Sequence, residues 1–319
     1  MTGLRVVKPG ALTLIQDLGR FGYQHLGVSP GGAMDEHAYL WANRLLGNRS
    51  DSPALEISLG GLQLEVHTDI VIAITGADLQ ARCNGEPLAC WQTHTVRRGD
   101  ALTFGFPVRG VRSYLAVAGG FLVEPVFGSV STVVREGIGG LDGMGQPLRA
   151  GDWLPVAEES ASNSLEGYLQ GHCHRRVPPR FIPDYGQAVM LRVLEGQQCS
   201  EFARAEVQRF YEHPYTVSRR GDRMGVTLDG LALRGPAQGM TSEGIPFGAI
   251  QVPPDGQPIV LLKDRQTMGG YPKIGTVHPL DAFSLAQCPP GTAVQFTPVD
   301  AQAYFQAWRV FSRFFNVNG

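Results

Sequence analysis

Apolar and polar residues alternate in short runs along most of this chain. Leu4 and Val6 alternate with Arg5 and Lys8, and Leu62-Gln63-Leu64-Glu65-Val66-His67 sets Leu62, Leu64 and Val66 on one face. Period two is the signature of a half-buried strand. Val71-Ile72-Ala73-Ile74-Thr75 and Arg112-Ser113-Tyr114-Leu115-Ala116-Val117-Ala118 are near-continuous apolar runs, which predicts strands covered on both faces. Gly99-Asp100 and Gly151-Asp152 each precede a short strand, as though one turn were used twice. Helical spacing is rarer. Met34, Ala38, Trp41, Ala42 and Leu45 predict a helix over 34–46, stopped by Gly47-Asn48. Asp300 is placed to cap a second helix whose inner stripe is Tyr304, Trp308, Phe311 and Phe315. That stripe reads as packing against a barrel.

Composition supports many short strands joined by tight turns. Gly (41) and Pro (22) together make about one residue in five, without a repeating period. At 319 residues the chain exceeds the size at which one core usually divides. The polar stretch Glu158 to Ser164, followed by Pro178-Pro179, lies within a seam over 155–182. The expected division is residues 1–180 and 181–319, both β-rich and the second ending in a helix.

A formal net charge of −2 supplies no field for nucleic acid or an anionic membrane. Strand-like sequence from Leu4 onward leaves no room for a signal peptide, and no apolar run has membrane-spanning length. Five scattered cysteines suit a reducing, cytoplasmic setting. His172-Cys173-His174 is the one tight cluster of metal-ligand type, and its polar surroundings read as a linker, so no metal site is expected.

Four segments carry candidate chemistry. In Asp17-Leu18-Gly19-Arg20 the acid and the arginine either pair with each other or present Arg20 as a bidentate clamp for an anion. Ser29-Pro30-Gly31-Gly32-Ala33-Met34-Asp35 opens the first helix without the spacing of a phosphate loop, and Asp35 suits the helix dipole. Ser218 to Gly225 contains Arg219, Arg220 and Arg223, of which Arg223 is the candidate anion ligand. Asp264 to Lys273 packs an acid, an arginine, Gln266, the Gly269-Gly270 pair, Tyr271 and a lysine into ten residues. Its upstream partner presents Gln251 before Val252-Pro253. Lysine is scarce: 24 of the 27 basic residues are arginine, so a lysine in this turn stands out.

Words running in order along nearly the whole chain resemble one family. They include Gln16-Asp17-Leu18-Gly19-Arg20, Gly31-Gly32-Ala33-Met34-Asp35, Arg112 to Gly120, Asp222-Arg223-Met224-Gly225, Gln251-Val252-Pro253 and Gln266 to Pro272. The chain is identified as a member of the allophanate hydrolase subunit 2 family, also called the biotin-dependent carboxyltransferase subdomain family. Where Val130 and Val133 stand, many relatives have an arginine and an acid.

The resemblance implies a mainly β fold of two successive cyclophilin-like β-barrel units with a few short helices. It implies a subunit of an ATP-dependent 5-oxoprolinase, inactive alone, with ATP and magnesium used in the complex. The expected partners are a KipI/PxpB-like subunit and a PxpA-like subunit of the LamB/YcsF family, with a small amide or lactam as substrate. No covalently bound biotin is expected. A KipA-type antagonist of a KipI-like inhibitor, or a carboxyltransferase acting on a urea-like amide, are the alternatives. The expected site joins Lys273, Arg223 and Asp264 as catalytic groups. Arg20, Asp17, Asp35, Gln251, Gln266, Tyr271, Gly269 and Gly270 are expected to bind substrate.

Overall fold

A computed structural model describes residues 2–157, 175–236 and 241–317. The His172-Cys173-His174 cluster and the polar stretch from Glu158 lie outside them. The fold is mainly β, as expected. The chain forms two compact units, one of Met1–Arg20 with Gly31–Tyr185 and one of Phe21–Pro30 with Gly186–Gly319. The division falls five residues beyond the expected one at 180, and a ten-residue piece of the first half belongs with the second.

In the first unit the strands form two sheets. One runs Trp153–Pro155, Gly3–Pro9, Leu62–Val66, Ala101–Thr103, Arg82–Cys83 and Glu86–Pro87. The other runs Leu12–Gln16, Ala54–Ser58, Arg109–Val117, Ile70–Asp78 and Gln92–Val96, all antiparallel. One hydrophobic cluster takes Leu4, Val6, Leu62, Leu64 and Val66 from the first sheet and Leu55, Ile57, Ile72, Ile74 and Leu115 from the second. In Leu62–Val66 the apolar residues are buried while Gln63 and Glu65 are half-exposed, so alternation is realised residue by residue. Ile70–Asp78 is buried through Ala77. Helix α1, Glu36–Leu46, lies against it, with Thr75 Oγ1 donating to Ala38 O at 2.7 Å. The helix starts two residues later than the periodicity predicts, because Asp35 is its cap: Oδ1 accepts from Ala38 N at 3.1 Å.

The two Gly-Asp turns match atom for atom. Arg97 N donates to Asp100 Oδ2, and Arg149 N to Asp152 Oδ2, each at 2.7 Å. Asp100 O then accepts from Val66 N, and Asp152 O from Val6 N, each at 2.9 Å. Gly99 and Gly151 sit at φ 94° and 95°, a backbone that only glycine takes without strain.

Strands of the second unit close into a barrel in the order Val189–Glu195, Lys273–Val277, Ala249–Gln251, Ile259–Leu261, Gly225–Asp229, Tyr215–Val217 and Ala293–Pro298. The last returns beside the first in parallel. A separate two-stranded piece pairs Glu243–Gly244 with Met268–Gly269. Helices α2 (Arg204–Glu212), α3 (Pro279–Leu285) and α4 (Ala301–Phe315) complete the unit. Tyr304, Phe311 and Phe315 of α4 are buried and Trp308 is half-buried. Helices α2 and α3 were not legible from periodicity: α2 is mostly polar, and α3 is seven residues long. No helix among the described residues is long and apolar enough to cross a membrane.

Candidate functional site

Lys273 opens a barrel strand, and a register shift between Ile250 and Gln251 sets Gln251 directly opposite it. Its ammonium lies 2.5 Å from Glu243 Oε1, with the lysine side chain 12% exposed and the glutamate 50% exposed. The contact is an ion pair rather than an aligned hydrogen bond. Gln198 ties the arrangement together. Its Nε2 donates to Glu243 Oε1 at 2.6 Å, and its Oε1 accepts from Lys273 N at 2.7 Å.

Glu243 is also opposite Gly269 in the two-stranded piece, which brings the glycine turn onto the same group. A Cβ at Gly269 would lie 2.9 Å from Gln251 Nε2, 3.1 Å from Gln266 Nε2 and 2.7 Å from Ile245 Cδ1. Glycine is needed here for close approach: two amides pack onto its bare Cα. Gln251 is 2% exposed, and its Nε2 has no hydrogen-bond partner among the described residues. A buried amide donor without an acceptor costs about 1–3 kcal/mol. It is a feature that a bound acceptor would relieve.

The structure therefore brings together Lys273, Gln251, Gln266 and Gly269, and adds Gln198 and Glu243. Glu243 lies eight residues before Gln251 and has no role in the expected site. Gln198 lies in a polar turn with nothing to mark it. Gly270 follows, half-buried, and Tyr271 is 45% exposed beside it.

Arg223 and Asp264 form a buried bidentate pair, Nε to Oδ2 at 2.8 Å and Nη2 to Oδ1 at 2.9 Å, with both side chains 8% exposed. Each thus answers the other's charge. The neighbouring Arg265 donates to Ile245 O at 3.0 Å and Leu262 O at 3.1 Å, and burial pulls its pKa down to about 10. Ser29, from the segment that joins this unit, donates to Arg265 O at 2.8 Å.

Asp17, Arg20 and Asp35 belong to the first unit. Asp17 accepts from Gly19 N, Ser129 Oγ, Ser131 Oγ and Val130 N at 2.6–2.8 Å. Arg20 is 1% exposed and donates to the carbonyls of Val126, Ser129 and Ser131. Both side chains grip the 126–131 segment, so the geometry is that of a buried brace. Val130 and Val133 are buried apolar residues. Asp35 is 2% exposed. Besides capping α1, it accepts at Oδ2 from the Tyr185 hydroxyl at 2.7 Å, and its N donates to the Tyr114 hydroxyl oxygen at 2.8 Å. The Tyr114 hydroxyl donates in turn to Glu56 Oε2 at 2.8 Å. Burial first, then the Asp35 charge, pushes the Tyr185 phenol well above its ordinary range. The signal for this network was an acid, Glu56, inside the wholly buried strand Ala54–Ser58.

Among the described residues, no group of three or more His, Cys, Asp or Glu side chains could hold a metal.

Residues 26–298 match the model of the carboxyltransferase domain, subdomains A and B. The chain is 39% identical over 320 residues to the C subunit of 5-oxoprolinase from Escherichia coli, covering 96% of this chain and 98% of that one. It is 37% identical over 290 residues to the C subunit of 5-oxoprolinase from Haemophilus influenzae, covering 90% and 88%. Among solved structures, urea carboxylase of Kluyveromyces lactis superposes with a TM-score of 0.89 at 28% identity, over 98% of this chain but only 29% of that larger one. With its two β units and the match over most of its length, this chain belongs to the family of carboxyltransferase domain subdomains A and B.

Proposed function

We propose that this protein is the C subunit of an ATP-dependent 5-oxoprolinase, opening 5-oxo-L-proline to L-glutamate with a KipI/PxpB-like and a PxpA-like subunit in the cytoplasm. The observation that carries the reading is near end-to-end similarity to two proteins of that name. The group around Lys273 supplies fitting chemistry. A lactam substrate offers a carbonyl oxygen and a carboxylate, both acceptors only. Gln251 holds a buried donor in need of an acceptor, and Lys273 keeps N–H groups beyond its contact with Glu243. Donors aimed at an oxygen that gains charge favour attack on the carbonyl. Lys273 and Gln251 are assigned to that oxygen and the substrate carboxylate. Arg223 and Asp264, occupied with each other, tie together the residues flanking the paired strands Gly225–Asp229 and Ile259–Leu261. ATP and its magnesium are assigned to the complex as a whole.

Likeness to a urea carboxylase domain favours a second reading, carboxyl transfer to a urea-like amide. One experiment separates the two. The chain is co-purified with both partner subunits and assayed for glutamate formed from 5-oxoproline and ATP, and for urea-dependent consumption of carboxybiotin. Lactam opening is expected with all three subunits and not with this chain alone. Lys273→Ala and Gln251→Leu should each lower kcat/KM roughly tenfold to a hundredfold. Turnover by the single chain, or activity only toward urea, defeats the proposal.

A further inference from the structure

The first unit contains an open cleft of about 590 Å³ that the proposed activity does not use. We infer that it binds a small planar carboxylate, with Arg82 and Arg109 as the anion ligands and Trp91 and Tyr185 as the aromatic wall.

The wall is held in place from behind. Trp91 is 6% exposed and sits at φ 63°, and Gln80 on the same cleft sits at φ 51°. Left-handed backbone is costly for a bulky side chain and persists only where its surroundings enforce it. Here they do. Trp91 N donates to Ile74 O at 2.6 Å, and the indole N–H donates to Gly76 O at 3.1 Å. Tyr185 is tied through its hydroxyl to the buried Asp35 carboxylate, and so to the α1 cap. The two rings stand 6.5 Å apart with planes 32° from parallel. With their polar atoms turned to the protein, they offer apolar surface that suits a flat body.

Arginines and acids balance at the cleft, two of each, and the anion ligands are the donors the two arginines keep. Asp78 accepts from Gln80 N at 2.9 Å, and Asp184 lies near Arg109. The Arg109–Asp184 contact is 3.8 Å long, with side chains 69% and 51% exposed. It is too long for a hydrogen bond and too wet to contribute much, so an incoming carboxylate displaces it at little cost. Arg82 commits Nη1 to Gly85 O at 2.8 Å. A guanidinium carries five N–H donors, so an edge remains for bidentate contact.

Titration calorimetry on the whole chain tests this, with benzoate as the probe, benzamide as its neutral counterpart and 5-oxoproline as a third ligand. Benzoate should bind the parent at least about tenfold more tightly than benzamide. The exposed pair Arg82→Glu with Arg109→Glu should abolish benzoate binding while leaving the thermal midpoint in place. Lys273→Ala, in the second unit, should bind benzoate as the parent does. Equal affinity for benzamide, no benzoate binding by the parent, or binding that survives the double charge reversal overturns the inference. Binding lost only in Lys273→Ala moves the carboxylate to the second unit and also overturns it. Because no turnover is measured, failure here leaves the proposed activity untouched, and failure of that activity leaves the cleft. Should 5-oxoproline compete with benzoate, the cleft is a second station for the lactam itself.

Discussion

At the level of single residues, burial separates side chains whose sequence neighbourhoods looked equally promising. Asp17 and Arg20 have the chemistry of an anion clamp, yet their donors and acceptors go to the 126–131 segment. Arg223 and Asp264 are similarly committed to each other. Removing one member of a buried ion pair strands the other charge, at about 3–5 kcal/mol, whereas replacing both by apolar groups of similar volume is often neutral. Arg223→Ala should therefore lose most of that stability in urea unfolding, and Arg223→Met with Asp264→Leu should recover it. A single variant as stable as the parent would take away the bracing role, and a stable but inactive double variant would return the pair to the chemistry. The sequence could place acid, arginine and lysine on one turn. It could not say which of them water or a ligand reaches, because that depends on partners such as Glu243 and Gln198, which are 30 and 75 residues away from Lys273.

Elements were legible where local signals agreed with the packing. Alternation predicted Leu62–Val66, and the repeated Gly-Asp word turned out to be one hydrogen-bonded turn built twice. Asp35 and Asp300 cap their helices, the latter accepting from Ala303 N at 2.9 Å. Helix α3 escaped because its cap is a histidine, not one of the usual oxygen-bearing residues. His278 is 0% exposed; Nδ1 accepts from Leu280 N at 3.2 Å, and Nε2–H donates to Tyr304 O at 3.0 Å. Acceptance at Nδ1 requires the neutral ring, whereas donation from Nε2–H survives protonation. Burial, then the nearby Arg192 charge, lowers its pKa from 6.5. The unfolded chain therefore takes up a proton before the folded one does. The stability His278 contributes is fully present above pH 6.5 and is lost as pH falls through the lowered folded value. His278→Asn keeps a capping oxygen and removes the titration. Between about pH 7.5 and 5.5, its unfolding midpoint in urea should fall less than that of the parent. Parallel falls would mean that other groups govern acid stability.

For the molecule as a whole, composition pointed to a division at 180 where the compact units part after Tyr185, and it left the membership of Phe21–Pro30 unmarked. A segment that joins a unit from far away in sequence leaves no local mark; turn chemistry at its ends, Gly19, Gly22 and Gly31-Gly32, reads the same wherever the segment goes. Its place has consequences for the candidate site. Ser29 is 0% exposed and donates to Arg265 O, and Arg265 in turn holds Ile245 O and Leu262 O. Ile245 packs where a Gly269 side chain would be, beside Gln251. The chain of contacts thus runs from the inserted segment to the glycine turn within one unit. Residues 186–319 expressed alone lack the first link. Residues 21–30 joined to them through a flexible linker restore it. The linked form should be the more stable by about 1 kcal/mol, the contribution of a typical buried hydrogen bond. It should also show slower amide exchange over Ile245 and Arg265 to Tyr271, since local opening governs exchange there. Equal exchange in the two forms would show that the segment does not support the turn, and the positioning of Gln251 would then rest on the barrel strands alone.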